Sequence, residues 1–171
     1  LNRITSTVSR AHVASFAFID PTGCMNTTEI TDRPPNRQNH REDGLPAGVH
    51  SVFSSNTSSL NAALLAGFLE HQHDPDVKRT HLFNGRHENI YLTTREIPRL
   101  RELLGEACAH AGRILGIDGL QAGCWFNFMP PGAVTTLHRH DDDDELLSAV
   151  YYVYVGENPG DLIIHQNGRK Y

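Results

Sequence analysis

The spacing of the apolar residues changes between Gly116 and Gly119, and this change narrows the folds open to the chain more than any other feature. Before it, Ile97, Leu100, Leu103, Leu104, Ala107, Ala111 and Ile114 recur every three or four positions, as in a helix that buries one face. Thr93 and Glu96 have the spacing of a capping box, Pro98 falls in the first turn, where a missing N–H is tolerated, and Gly116 ends the stripe. An earlier stripe of Leu60, Ala63, Leu64, Gly67, Phe68 and His71 predicts another helix, with Ser58 or Ser59 as N-cap. After Gly119 the runs are strand-like: Cys124 to Met129, Leu146 to Val155 and Leu162 to His165, with turns at Pro130-Pro131-Gly132 and Asn158-Pro159-Gly160. Short strands are also expected at Ala14 to Ile19 and Asn89 to Leu92, and residues 31–48, with Pro34, Pro35, Gly44, Pro46 and Gly48, read as loop. Helices followed by successive antiparallel strands predict an α+β domain built on a β-barrel or sandwich.

A chain of 171 residues is the size of one domain and buries a full core without staples. A formal charge of −5 and the lack of a basic stripe argue against nucleic acid as a partner. No apolar run has the length of a membrane span, and the N-terminus lacks the layout of a signal peptide, so a cytoplasmic protein with no membrane partner is expected. Cys24, Cys108 and Cys124 are odd in number and lack CxxC spacing, which fits a reducing compartment, and the sequons at Asn26 and Asn56 read as coincidences. The chain opens at Leu1 without a methionine and stops at Tyr171 just after a strand-like run, so further native sequence is expected at one or both ends.

The chemistry concentrates in HRHDDDD, residues 138–144. Two histidines at i and i+2 on a strand point to one face, and a nearby carboxylate completes the three-ligand set used for non-haem iron. Such a polar run also serves as an ordinary solvated loop.

Its context carries a resemblance. The ordered series Trp125-Phe126-Asn127, Pro131-Gly132, His138-Arg139-His140-Asp141-Asp142, Leu147-Ser148-Ala149-Val150-Tyr151-Tyr152-Val153 and Pro159-Gly160-Asp161-Leu162 resembles the iron(II) and 2-oxoglutarate-dependent oxygenases. It is most similar to bacterial members in which an HxH(D) segment precedes an SxVYYV strand and a proline-glycine turn, and it covers about residues 123–165. The resemblance implies a single domain, residues 1–171, with a double-stranded β-helix (a jelly-roll, cupin-like barrel). Helical support would occupy about residues 55–118 and barrel strands about 120–171. It also implies Fe(II) and 2-oxoglutarate as cofactors, with His140 and Asp142 as metal ligands. His138 completes the candidate metal set, as a ligand in one register and as a neighbour of the metal or the substrate in the other. In prolyl-hydroxylase-like relatives the second tyrosine of a YYL strand binds the distal carboxylate of 2-oxoglutarate; here that is Tyr152, and Asn127 would line the same cavity. The implied reaction is hydroxylation of an unactivated C–H bond in a small molecule or peptide side chain, with release of succinate and CO₂. The partners allowed are that substrate and a second copy of the chain.

Family members take a further histidine and a basic residue from well downstream, whereas the last histidine here is His165. The resemblance therefore implies at least two more strands beyond Tyr171, and it leaves Arg169 and Lys170 as loop residues.

Two rival readings use the same residues. Gly132, five residues, His138-x-His140, four residues and Glu145 match the first part of the cupin motif, with His138, His140 and Glu145 as ligands, but Tyr152 stands where that motif requires glycine. A barrel without metal, acting as a binding module, would leave residues 141–145 as a solvated loop. Elsewhere, His71-Gln72-His73-Asp74 reads as the solvated end of a helix and His110 as structural, while His81, Arg86 and His87 flank a turn near the expected barrel mouth.

Overall fold

The computed structural model describes residues 46, 48–52, 57–138, 145–156 and 161–171, together with the backbone of residues 3–7, 11–19 and 139. In chain order the elements are β1 (Arg3–Thr7), β2 (Ala11–Ile19), α1 (Ser58–His71), β3 (Lys78–Phe83), β4 (Arg86–Tyr91), α2 (Leu100–Leu115), β5 (Gln121–Met129), β6 (His138–Arg139), β7 (Leu147–Val155), β8 (Asp161–Gln166) and β9 (Arg169–Lys170). The strands form a four-stranded sheet in the order β6-β1-β8-β9 and a five-stranded sheet in the order β3-β4-β5-β2-β7, with antiparallel pairing throughout. Helices and antiparallel sheets thus share one chain, but the helices do not simply precede the strands. The five-stranded sheet recruits β2 from ahead of both helices and the β3–β4 hairpin from between them.

The core lies between the two helices and one face of the five-stranded sheet. In α1, Leu60, Leu64 and Phe68 are four residues apart and all are buried, and the Phe68 ring lies 5.6 Å from that of Phe126 on β5. In α2, Leu100, Leu103 and Ala111 are buried, and Val77, Ile90, Leu92, Ile97, Leu120 and Val153 complete the cluster. Burial of each large side chain contributes about 1.5–3 kcal/mol. Gly67 is required by space: a Cβ there would stand 2.8 Å from Ile97 Cγ1.

Several expectations need correction. Thr57, not Ser58 or Ser59, occupies the N-cap of α1, and it makes no side-chain capping bond. The Thr93–Glu96 capping box forms, with Thr93 N and Oγ1 donating to Glu96 Oε2 at 2.8 and 2.7 Å. It closes a single turn, in which Ile97 N bonds Thr93 O at 2.9 Å, ahead of α2. The helix itself begins at Leu100, beyond Pro98. Ile114 is 38% exposed, so the α2 stripe reaches the surface before the helix ends at Gly116, whose φ of 70° gives the left-handed cap expected there. The β3–β4 hairpin was legible in an overlooked signal: Asn84-Gly85, with φ of 49° and 74°, is the dipeptide favoured where both central turn residues take positive φ. Arg169 and Lys170, expected in a loop, form strand β9 against β8. The turn at residues 158–160, Cys24 and both sequon asparagines lie outside the described residues, as does the expected loop at residues 31–48 apart from Pro46 and Gly48. Among the described residues, no helix is long and apolar enough to cross a membrane.

Candidate functional site

Strand register assigns the predicted residues to faces. Phe126, Ala14 and Tyr151 lie directly opposite one another across β5, β2 and β7. Phe126 packs on Phe68, and the Tyr151 hydroxyl donates to Asn61 Oδ1 at 2.5 Å, so this row belongs to the helix side. One residue further along, Asn127, Val13 and Tyr152 form the next row. Successive residues on a strand alternate between faces, so Asn127 and Tyr152 share the face turned away from the helices. Two strand spacings of about 4.8 Å separate them at the backbone. Tyr152 is 37% exposed, yet burial still pushes its hydroxyl up from the ordinary tyrosine value, so it remains a protonated donor at neutral pH.

Aromatic residues extend this face. Trp125 lies opposite Ser15, which is opposite Val150; the Trp125 ring is 6.3 Å from that of Tyr91, and Lys78 Nζ sits 5.0 Å above the Tyr91 ring.

Asn127 is fixed from β4. Arg86 Nη1 donates to Asn127 Oδ1 at 2.6 Å, while Nη2 donates to Glu88 Oε1 at 3.3 Å and to Val134 O at 3.2 Å. Glu88, only 6% exposed, also accepts from Thr136 N at 3.3 Å and from Thr136 Oγ1 at 2.9 Å. Burial pulls the Arg86 guanidinium below its usual range, and the nearby Glu88 carboxylate opposes that shift. Sequence analysis placed Arg86 near this region but missed Glu88 and Thr136. The available signal was the Asn84-Gly85 turn, which sets Arg86 and Glu88 at i and i+2 on a strand leaving it.

Thr136 leads to the histidine segment. Its carbonyl accepts a hydrogen bond from His138 Nδ1 at 2.9 Å. A neutral imidazole protonated at Nδ1 carries its ligand lone pair on Nε2, and a ring donating to a backbone carbonyl is oriented as metal-bound histidines commonly are. The tautomer at His138 is one that metal-ligating histidines adopt. His140, Asp142 and the rest of the acidic run through Asp144 lie outside the described residues. Glu145, the cupin candidate, is half-buried and accepts a hydrogen bond from the Ser148 hydroxyl. Among the described residues, no three His, Cys, Asp or Glu side chains gather in a group able to hold a metal.

The other candidate histidine separates from the first. His138 lies opposite Ile4, which is opposite Ile164, whereas His165 is in the row of Arg3 and Arg139. Adjacent rows point to opposite faces, so His138 and His165 do not converge on one centre. Elsewhere, His71 Nδ1 lies 2.8 Å from Asp74 Oδ2, a bond that raises the histidine's pKa at the end of α1, and His110 contacts Arg113; neither belongs to the candidate site. Cys108 and Cys124 are unpaired thiols, and burial pushes Cys124 up to about 12, which leaves it inert. Compared with protein-family models, with curated proteins and with solved structures, the chain finds no match.

Proposed function

We propose that this protein is a non-haem Fe(II) and 2-oxoglutarate-dependent dioxygenase with a double-stranded β-helix, hydroxylating an unactivated C–H bond of a small molecule or peptide side chain. The observation that supports this reading is the common row of Asn127 and Tyr152 on the sheet face opposite the helices. The motif series assigns both residues to one cavity, and the register gives them one face.

Iron and 2-oxoglutarate, when bound, supply the oxidising chemistry, and the co-substrate leaves as succinate and CO₂. The chain's own task is to bind, orient and exclude water. His140 and Asp142 hold the metal in this reading, with His138 beside them. The Tyr152 hydroxyl, protonated at neutral pH, donates to the distal carboxylate of the co-substrate in a charge-assisted bond. Asn127, its carbonyl oxygen engaged by Arg86, keeps its amide N–H groups for a ligand's oxygens. The separation of His138 from His165 supports a distal ligand other than His165. The formal charge of −5 favours a substrate that is not a polyanion, and the compartment we propose is the cytoplasm.

The test is direct. Purified protein given Fe(II), O₂ and 2-oxoglutarate should release succinate, slowly and uncoupled when no substrate is present. Iron binding and O₂ consumption that ignore 2-oxoglutarate would replace this reading with the cupin one. In both, His140→Ala should abolish metal binding. Asp142→Ala and Glu145→Ala separate them: iron retained in the first and lost in the second would overturn the ligand choice. Failure to bind iron at all would leave the barrel as a binding module.

A further inference from the structure

The two sheets end in four edge strands, and three of them carry a device that discourages pairing with another chain. In the four-stranded sheet the edges β6 and β9 are two residues long, and each holds a cation, Arg139 in the first and Arg169 with Lys170 in the second. In the five-stranded sheet the edge β3 opens with Lys78 and Arg79, and His81, at a φ of 57°, interrupts its extended backbone. The fourth edge, β7, has none of these. Its nine residues hold no charge, no proline and no glycine, and in length it equals β2 and β5 from the interior of the same sheet. Among the described residues it pairs with β2 alone. A register shift falls between Tyr152 and Tyr154, but residues 147–152 run beside β2 without interruption. Leu146, Val150, Tyr152, Tyr154 and Val155, on or next to this strand, are all exposed, whereas each of the other three edges has one such large apolar side chain on or next to it among the described residues. An edge with the length and composition of an interior strand is a template for one more strand.

We propose that β7 is the interface between two copies of this chain, each adding the other's β7 as an antiparallel strand and joining the two five-stranded sheets into one continuous sheet. The proposal goes beyond the dioxygenase reading and does not depend on it. A two-fold axis perpendicular to the sheet pairs β7 with itself, the isologous arrangement commonest among soluble oligomers. Residues of one face then meet each other: in a register centred on Val150, that residue stands opposite its own copy and Tyr152 opposite the second copy's Ser148. An uncharged strand meets itself without the repulsion of like charges set opposite one another, and it offers no charge by which to select a partner of different sequence. The chain presents one such edge among its described residues, so pairing closes at two copies instead of continuing as a filament. Backbone groups make the join, and Asn127 and Tyr152 keep their face of the sheet.

The experiment measures the mass of the full chain by light scattering after gel filtration over a wide range of concentration, and the hydrogen exchange of the β7 amides on either side of the dissociation step. Wild type is compared with Val150→Lys and Leu82→Lys. Wild type is expected at twice the chain mass, falling to the chain mass on dilution, with the β7 amides losing protection in the same step. Val150→Lys brings like charges together in the join and should have the chain mass where wild type is a dimer, with an unchanged circular dichroism spectrum. Leu82→Lys removes the most exposed large apolar side chain among the described residues, 67% exposed and on the opposite edge, and should dimerise as wild type does. Should Val150→Lys lose its fold, the dilution of wild type alone decides. A wild type with the chain mass at every concentration, a dimer whose β7 amides are equally protected after dissociation, or a folded Val150→Lys that dimerises as wild type does would overturn the proposal. So would an equal loss of dimer in Leu82→Lys, which would mean that apolar adhesion without strand pairing holds the copies together. Each of these results leaves the dioxygenase reading untouched.

Discussion

The two faces of the five-stranded sheet follow different rules. On the helix side, Phe126 and Val153 are 1% and 5% exposed, and they belong to one buried cluster with Leu64, Phe68 and Leu100. On the other side, Val150 and Tyr152 are 38% and 37% exposed, and Trp125, Asn127 and Lys78 stand among them. An antiparallel sheet with one solvated face normally alternates apolar with polar residues. Here the second face carries aromatic residues and a few fixed polar groups, the composition that our proposal reads as a ligand surface. The first face holds the fold, and on our proposal the second performs the function. Substitutions on the two faces should therefore fail in different ways.

The largest effect is expected on the helix side. Phe126→Ala should lower stability by about 3–5 kcal/mol, read as a fall in the urea midpoint, because the seam between Phe68 and the sheet cannot collapse into the space left. A midpoint near that of wild type would show that this face does not hold the fold. On the opposite face, Tyr152→Phe should leave the melting temperature nearly unchanged. It should raise the KM for 2-oxoglutarate about 10–100-fold, the value of a hydrogen bond to a charged group. An unchanged KM would remove Tyr152 from the co-substrate site, and a large fall in melting temperature would erase the contrast between the faces.

Smaller effects test the elements that carry the sheet. Gly85→Ala places a side chain at a φ of 74° and should cost about 1–2 kcal/mol in thermal unfolding, since it loosens the hairpin from which Arg86 and Glu88 project. The smallest expected effect is a pH dependence at the capping box. The hydroxyl and N–H of Thr93, followed by Arg95, hold the Glu96 carboxyl down at about 2. A depressed carboxylate contributes stability that is complete above its unfolded value of about 4.3 and is lost as pH falls through its folded value. The melting temperature of wild type should therefore exceed that of Glu96→Gln near neutral pH, and the gap should close between about pH 5 and pH 2. A gap that is constant with pH would mean that the charge of Glu96 has no part in it.

Much of the fold was legible from residue types alone. The stripes of α1 and α2, the left-handed cap at Gly116 and the strands β5, β7 and β8 follow from periodicity and local signals. The β3–β4 hairpin was equally legible in Asn84-Gly85, but a polar run such as Arg86-His87-Glu88-Asn89 does not look like a strand until its buried partners are known. The candidate site divides in the same way. Asn127, Tyr152 and His138 were named from the order of motifs along the chain, whereas Glu88 and Thr136, 48 residues apart, were not.

The sequence by itself determined what depends on neighbours within a turn or two: helical stripes, caps, turn dipeptides, strand alternation and the order of the motif series. The tertiary structure decided what depends on pairing. It inserted β2 between β5 and β7, put Asn127 and Tyr152 in one row, and separated His138 from His165. The reason is that a strand's alternation is written in its residues, but its register is not: a shift of one residue exchanges its two faces, and only the partner strands, distant in sequence, choose between them.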